Sequence, residues 1–367
     1  MPRPSKSVPA ATLPEVAKAA GVSTATAARA LGGYGSVSAK ATEKVHRAAE
    51  RLGYRTNSLA RSMITGKTNT IGVVFPDIQN PFFSQVFRGI TEVARARGYE
   101  ALLIDTDEDA HLEATSLKTL AERRVEGVII APTDVTRPSA FSELRGLGIP
   151  IILLDRGLAG LQADTVVVDN VAAARDATSR LIALGHTRIA VVTGADHSLL
   201  PRLASHRAPD MKTGASSTGI MRTWGYRQAL RAAGIPFRRD LVSAEGFRPE
   251  QAAAATVRLM TSAIPPTAVV AFDSLLALGV ITGLRQVGLQ CPNDVSLIGF
   301  DDAPWAPYVT PPLSVIRQPV FDLGAEATRL LLGRMSSNSK EFITRILPTS
   351  FIDRQSVSAP AVPSTPL

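Results

Sequence analysis

The chain has 367 residues, 45% of them apolar, with a formal charge of +8 and a single cysteine. That is enough apolar material for two or three packed units, while one thiol excludes an internal disulfide and fits a reducing compartment. No run of about eighteen apolar residues offers a membrane span, and the opening MPRPSKSVPAAT lacks the unbroken apolar core of a secretory signal, so a cytoplasmic protein with no membrane partner is expected.

The surplus charge is local. Residues 1–70 carry eleven Lys/Arg against three acids, and the other 297 residues balance at 29 against 29. Basic residues that merely solubilise helices would be spread evenly; their concentration in one small unit points to a polyanion, first of all nucleic acid. In the same region Thr12-Leu13-Pro14-Glu15 matches a capping box with proline in the first turn, which starts a helix. Gly21 supplies the left-handed residue that ends it. Ser23 caps a second helix running to about Leu31, giving a helix-turn-helix whose alanines allow close crossing. Ser38 opens a third, on which Val45, Ala48, Ala49 and Leu52 share a face. The stretch NSLARSMITG, 57–66, reads as a short helix capped by Asn57 and stopped by Gly66, too short to be stable alone.

Beyond residue 70 the apolar runs TIGVVFP, YEALLIDT, GVIIAP, PIILLD, TVVVDN, RIAVVTG, TAVVAF and VSLIGF recur, most of them separated by helix-length segments. This alternation predicts parallel sheets covered by helices on both faces. Two halves, about 71–168 and 170–297, leave a cleft between them, with the C-terminal segments crossing back over both. Ligands bind at the carboxyl ends of parallel strands, so the cleft is the expected site.

The ordered blocks LPEVAKAAGVSTATAARAL, VSAKATEKVHRAAERLGYRTNSLARSMITGKTNTIGVVFPDIQNPFF, LLDRG, VVVDN, LIALGHTRIAVVTG, FDSLLALGV, VSLIGFDD and TPPLSVIRQP resemble the lactose-repressor (LacI) family of bacterial transcription regulators along nearly the whole chain. The resemblance implies an all-α helix-turn-helix headpiece (1–56), a hinge helix and linker (57–70), and an α/β periplasmic-binding-protein-like core (71–355) of two parallel-sheet subdomains, used as a homodimer. A disordered tail (356–367) without leucine heptads is expected to follow. It further implies that Thr24, Ala25 and Arg29 face the major groove, where arginine pairs bidentately with guanine and small side chains meet thymine methyls. Ser23, Thr26, Tyr34 and Lys40 become candidates for phosphate contacts. Here Thr26-Ala27-Ala28-Arg29 departs from the common Thr-Val-Ser-Arg, removing a hydroxyl at Ala28. In the hinge, Asn57, Leu59, Ala60 and Arg61 match the family's DNA-bound helix, and Met63 replaces its usual minor-groove leucine wedge.

For a small-molecule effector, expected to be a sugar or sugar acid, the family pattern marks Phe82, Phe83, Asp169, Arg222, Phe247 and Asp273. Aspartates accept paired hydroxyls, arginine fixes a hydroxyl or carboxylate, and aromatics cover a ring's apolar face. Each has a plainer alternative: Asp169 and Asp273 as helix caps, the phenylalanines as core, Arg222 as a surface residue. Phe272 stands where the family usually has Asn. Residues 195–221 exceed the family's usual length there, either as a surface insertion or as a cover over the cleft. No metal site or cofactor is expected. Enzyme motifs fail: RSMITGKT has Arg61 where a phosphate loop needs its first glycine and no strand before it, and neither H-E-x-x-H nor G-x-S-x-G occurs. The expected function is a repressor that binds a palindromic operator in double-stranded DNA as a homodimer under control of the effector; a solute-binding receptor is the alternative.

Overall fold

The computed structural model describes residues 11–54, 66–194, 217–244, 246–337, 339 and 341–361. They fall into a small unit within Met1–Asn69 and a large one within Thr70–Leu367. The hinge residues Asn57, Leu59, Ala60, Arg61 and Met63, and most of the 195–221 segment, lie outside the described residues.

The described residues of the small unit form three helices, α1 (Leu13–Ala20), α2 (Thr24–Gly32) and α3 (Ala39–Arg51). The Glu15 carboxylate accepts the Thr12 N–H at 2.7 Å and its hydroxyl at 2.9 Å. These bonds hold the carboxyl below its ordinary range and satisfy one of the donors a helix start leaves free. Gly21 ends α1 at φ 66°; only glycine takes that angle without steric cost. Ser23 accepts the Thr26 N–H and Ser38 the Ala41 N–H, capping α2 and α3. The core between the helices is made of small residues, Val16, Ala17, Ala20, Ala27, Ala30, Val45, Ala48 and Ala49. Leu52, expected on that face, instead follows the end of α3 and is 38% exposed. The last turn has rotated it outward, and Tyr54 packs against the core from the following segment.

The large unit holds two six-stranded sheets. In the first lobe the order is β11-β5-β4-β3-β1-β2, all parallel. Its strands are β1 (Thr70–Phe75), β2 (Glu100–Asp105), β3 (Gly127–Ile130), β4 (Ile151–Leu154), β5 (Asp164–Val168) and the late β11 (Thr344–Leu347). In the second lobe the order is β12-β10-β9-β8-β6-β7. It comprises β6 (Ile189–Thr193), β7 (Val242–Ala244), β8 (Ala268–Ala271), β9 (Ser296–Phe300), β10 (Ser314–Arg317) and β12 (Ser350–Ile352). All eight apolar runs read from the sequence are strands; seven are buried almost throughout, as a sheet covered on both faces requires, while the edge strand β2 is only partly buried. The short β12 runs antiparallel to β10 at the sheet edge, where a pattern search for buried parallel strands finds no signal.

Helices α4 (Pro81–Ala96), α5 (Ala110–Glu122) and the short α6 (Ser142–Gly146) belong to the first lobe, and α7 (Asn170–Ala183), α8 (Thr218–Ala232), α9 (Pro249–Met260) and α10 (Ser274–Gln286) to the second. Helix α11 (Val320–Met335) returns to pack on α4. Close approach there depends on two glycines: a Cβ on Gly89 collides with the Phe321 carbonyl, and one on Gly324 with the Val86 carbonyl. The chain therefore passes between lobes three times, after β5, after β10 and after β11. Thr218–Met221, read from the sequence as loop, form the first turn of α8, capped by Ser217.

The tail needs a larger correction. Residues 356–358 are held against the second lobe rather than disordered, and Ser356 is 1% exposed. Its hydroxyl donates to the Leu297 carbonyl at 2.6 Å and accepts the Ser314 N–H at 2.8 Å. Ser358 N–H reaches Ser296 Oγ at 2.9 Å, and its carbonyl lies 2.8 Å from His186 Nε2. A low-complexity sequence is held here by pairing polar groups along β9, which hydrophobic patterning does not register.

Candidate functional site

Two surfaces carry the chemistry. On the small unit, Thr24, Ala25, Arg29 and Lys40 are exposed, as residues that meet an external partner must be. Ser23 and Thr26 are instead joined to each other, hydroxyl to hydroxyl at 2.8 Å, while Ser23 also caps α2. Thus Ser23 Oγ is already engaged in the free protein, and any phosphate bond from it is shared with the cap. Tyr34 is half-buried with its ring over Gly32, where a Cβ would overlap it. Arg29 runs past Gly35, its Cδ 3.2 Å from where a Cβ would stand. The glycine-rich turn GGYG thus makes room for both side chains.

On the large unit, the carboxyl ends of the central strands and the helix N-termini beside them converge on one cleft of about 30 Å³ between the lobes, room for about two waters. In each sheet the first strand, β1 or β6, lies between the second and third, so the strand order reverses there, the position where such folds bind ligands. Five of the six expected effector residues, Phe82, Phe83, Arg222, Phe247 and Asp273, line the cleft.

Asp169 does not. It is exposed, caps α7, and accepts the Ala172 N–H at 2.8 Å. The next residue, the fully buried Asn170, backs the site through Arg222, whose Nε–H it accepts at 2.8 Å. At a strand-to-helix junction one residue decides which side chain turns inward, and the sequence motif carries both.

Asp273 performs two tasks at once. One oxygen accepts the Leu275 and Leu276 N–H groups at 2.7 and 3.4 Å, capping α10. The other accepts the Asn80 side-chain amide at 2.7 Å, so a buried hydrogen bond joins the lobes. Asn80 in turn caps α4 through its own oxygen. Arg222 is buried, donates to Asn170 and the Phe272 carbonyl, and lies 3.7 Å above the Phe300 ring. Phe272 packs edge-on against Phe300 within the second lobe's core, while its carbonyl serves the cleft.

The sequence reading missed Arg156, Glu108, Asp155, Asp301 and Gln318. Arg156 donates two parallel bonds to Glu108 at 2.8 and 3.0 Å and faces the Phe247 ring of the other lobe at 5.5 Å. Asp301 accepts the Gln318 amide at 2.6 Å. The available signal was position: Asp155 and Asp301 each follow directly on an apolar strand run, at its carboxyl end. Glu108, Asp155 and Asp301 also hold left-handed backbone angles of 56°, 63° and 69°, a cost that functional sites commonly retain.

The electrostatics are unusual for a buried region. Five carboxyl groups, those of Asp77, Glu108, Asp155, Asp273 and Asp301, line the cleft against two guanidinium groups, Arg156 and Arg222. Burial raises the Asp155 and Asp273 carboxyls, opposed by Arg222. It pushes Asp301 up to about 7, again against the pull of Arg222. Burial lowers Arg222 itself, while for Arg156 the pairing with Glu108 outweighs burial and raises it. Among the described residues, Arg156 Nε, Thr193 Oγ1 and Gln318 Oε1 are buried polar atoms of this lining without a hydrogen-bond partner; Arg156 Nε lies 3.8 Å from Asp155, within ion-pairing reach only. Unpaired buried polar groups are expensive, and a donor, a hydroxyl and an acceptor gathered in one cleft suit a ligand bearing hydroxyl groups. No group of three His, Cys, Asp or Glu among the described residues is placed to hold a metal ion, and no described helix is long and apolar enough to cross a membrane.

Comparison with known proteins places these surfaces in context. Residues 12–57 match the family model "Bacterial regulatory proteins, lacI family", and residues 178–357 match "Periplasmic binding protein-like domain". Catabolite control protein A of Priestia megaterium is 33% identical over 345 residues, covering 94% of this chain and 98% of the relative. The transcriptional repressor CytR of Escherichia coli K12 is 32% identical over 350 residues, 95% and 97% of the two chains. A transcriptional regulator CelR solved as its cellobiose complex aligns with a TM-score of 0.68 at 29% identity, covering 94% of this chain and 99% of its own.

Proposed function

Because the chain belongs to the lacI family of bacterial transcription regulators, and so is a DNA-binding repressor with an effector-binding core, we propose that it represses from a palindromic operator as a homodimer and responds to an uncharged sugar. The observation that carries this reading is the cleft: buried donors and acceptors without partners among the described residues, at the strand ends, in a chain that also bears an exposed Arg29 on a basic helical unit.

Arg29, Thr24 and Ala25 read base edges in the major groove, with Lys40 and Tyr34 on phosphates. Two copies related by a twofold axis give a palindromic site, and the paired hinge segments with Met63 as wedge reinforce it. The closed cleft is too small for a ring, so the lobes part to admit one, and phenylalanines 82, 83 and 247 then cover its apolar face. Arg156, Thr193 and Gln318 pair with its hydroxyls. The excess of carboxyl groups favours a neutral sugar over a sugar acid, since an added carboxylate would meet unbalanced negative charge at low dielectric. Ligand binding shifts the equilibrium between lobe arrangements held by the Asn80–Asp273 bond and by the exposed Arg248–Asp107 pair at 2.8 Å. A coupling of about 1–3 kcal/mol is typical of such linkage. The chain acts by binding in the cytoplasm, without catalysis.

The test is selection of bound sequences from random duplex DNA at stated salt, with and without a panel of neutral sugars and sugar acids. A palindromic consensus whose retention falls with one neutral sugar is expected. Recovery of no consensus under any condition, or a response confined to sugar acids, overturns the operator or the effector part respectively.

A further inference from the structure

Most of the small unit's positive charge lies off the helix that carries Arg29. Of the six Lys/Arg between residues 11 and 54, four, Lys18, Lys44, Arg47 and Arg51, line an open groove of about 770 Å³ between the end of α1 and α3. No residue of α2 lines it. All four cations are exposed, and among the described residues Glu50 is the only acid in the wall. Arg47 is paired with Glu43 at 2.6 Å. Lys18, Lys44 and Arg51 have no carboxylate partner among the described residues.

This gathering of charge costs the folded chain something. Lys44, Arg47 and Arg51 follow at i, i+3 and i+7 on one face of α3, and like charges so spaced oppose a helix. Lys18, on α1, adds a fourth cation to the same groove. Residues 44 to 51 rise about 10 Å along the helix, a distance over which one DNA strand presents about three phosphates. Between the cations the floor is Ala20 and Ala48, 8% and 4% exposed. No lining side chain is aromatic or a large aliphatic, so a protein partner would find none of the anchors on which protein interfaces depend. A phosphate backbone needs only charge and a floor it can approach, and contacts to it carry no sequence information.

We propose that the groove between α1 and α3 is a second DNA surface, which holds the phosphate backbone of another duplex while α2 engages the operator. A bound dimer then joins two stretches of DNA.

Co-capture by the full chain tests this with random-sequence duplex DNA. One duplex is fixed to beads and loaded with protein, and a second, fluorescent duplex is added at about 50 mM KCl, where phosphate contacts are strong. The parent is expected to retain the second duplex. Lys44→Glu with Arg51→Glu should lower that retention about tenfold, with single-duplex binding in solution within about threefold of the parent and the melting temperature unchanged. Lys44→Gln with Arg51→Gln removes charge without reversing it and should fall between; it decides the case if charge reversal lowers the melting temperature. No second duplex held by the parent, or equal retention by parent and variants, overturns the proposal. An equal fall in single-duplex binding and in retention also overturns it, by placing the groove within the primary DNA surface. Poly-L-glutamate held by the parent and released by the charge-reversed chain, with no second duplex retained, overturns it in favour of an acidic polypeptide.

Discussion

Arg29 is one exposed side chain of α2, beside a turn whose glycines give it room. If it reads guanine, its removal costs discrimination more than overall affinity. Arg29→Ala should therefore lose about 1–3 kcal/mol of preference for operator over random duplex, measured by competition binding, with an unchanged melting temperature. Undiminished preference would falsify base reading at this position. Asp301 makes the opposite kind of prediction, about stability. Its carboxyl stands near 7 in the fold and at the ordinary carboxylate value in the unfolded chain, so the folded state binds more protons between those values. Stability from this group is present below the unfolded pKa and is lost as pH rises towards about 7. Asp301→Asn should accordingly melt higher than the parent at pH 8 and show a shallower fall in melting temperature from pH 5 to 8. A parallel fall in both proteins removes Asp301 as the cause.

At the scale of elements, close packing is concentrated where backbones touch. Helices α4 and α11 meet through Gly89 and Gly324, each facing a carbonyl of the other helix. Gly324→Ala forces the pair apart despite alanine's better helix propensity, and a loss of about 1–3 kcal/mol in urea unfolding is expected. Ser356→Ala leaves the Leu297 carbonyl and the Ser314 amide one bond short in a fully buried position. Its expected cost is again about 1–3 kcal/mol, and an unaltered denaturation midpoint would show the tail to be dispensable. These two cases mark what was legible in the sequence. Strands with continuous apolar runs, and helices with Ser, Thr or Asp caps, announce themselves through local chemistry. The 356–361 segment, β12 and the Asp169/Asn170 choice depend on which distant backbone group needs a partner, which no local pattern encodes. In the cleft, Arg156 and Gln318 lie inside recognisable sequence blocks but matter through partners 48 and 17 positions away, which the blocks do not reveal.

For the whole molecule, DNA reading and ligand reading reside in separately packed units. A chain of residues 70–367 should bind its ligand with unaltered affinity and show no DNA retention, by titration and gel shift. Loss of ligand affinity on that truncation would mean that the small unit contributes to the site. Between the lobes, the contacts found are the buried Asn80–Asp273 bond, the Arg156–Phe247 stacking and the exposed Arg248–Asp107 pair. The exposed pair contributes little in water, so the buried bond is the stronger bias on lobe closure.

The threefold passage of the chain between lobes also orders events on the ribosome. The strands β1 to β5 emerge early, but α4 has no covering helix and β5 no outer neighbour until residues 320–347 are made. The second lobe likewise lacks β12 and the Ser356 anchor until residues 350–356 are made. Neither lobe reaches its finished sheet until late in synthesis, whereas α1 to α3 are all present once residue 54 is made. A nascent chain thus carries a foldable DNA-binding unit long before it has a completed cleft, and responsiveness to a signal is acquired well after the capacity to read DNA.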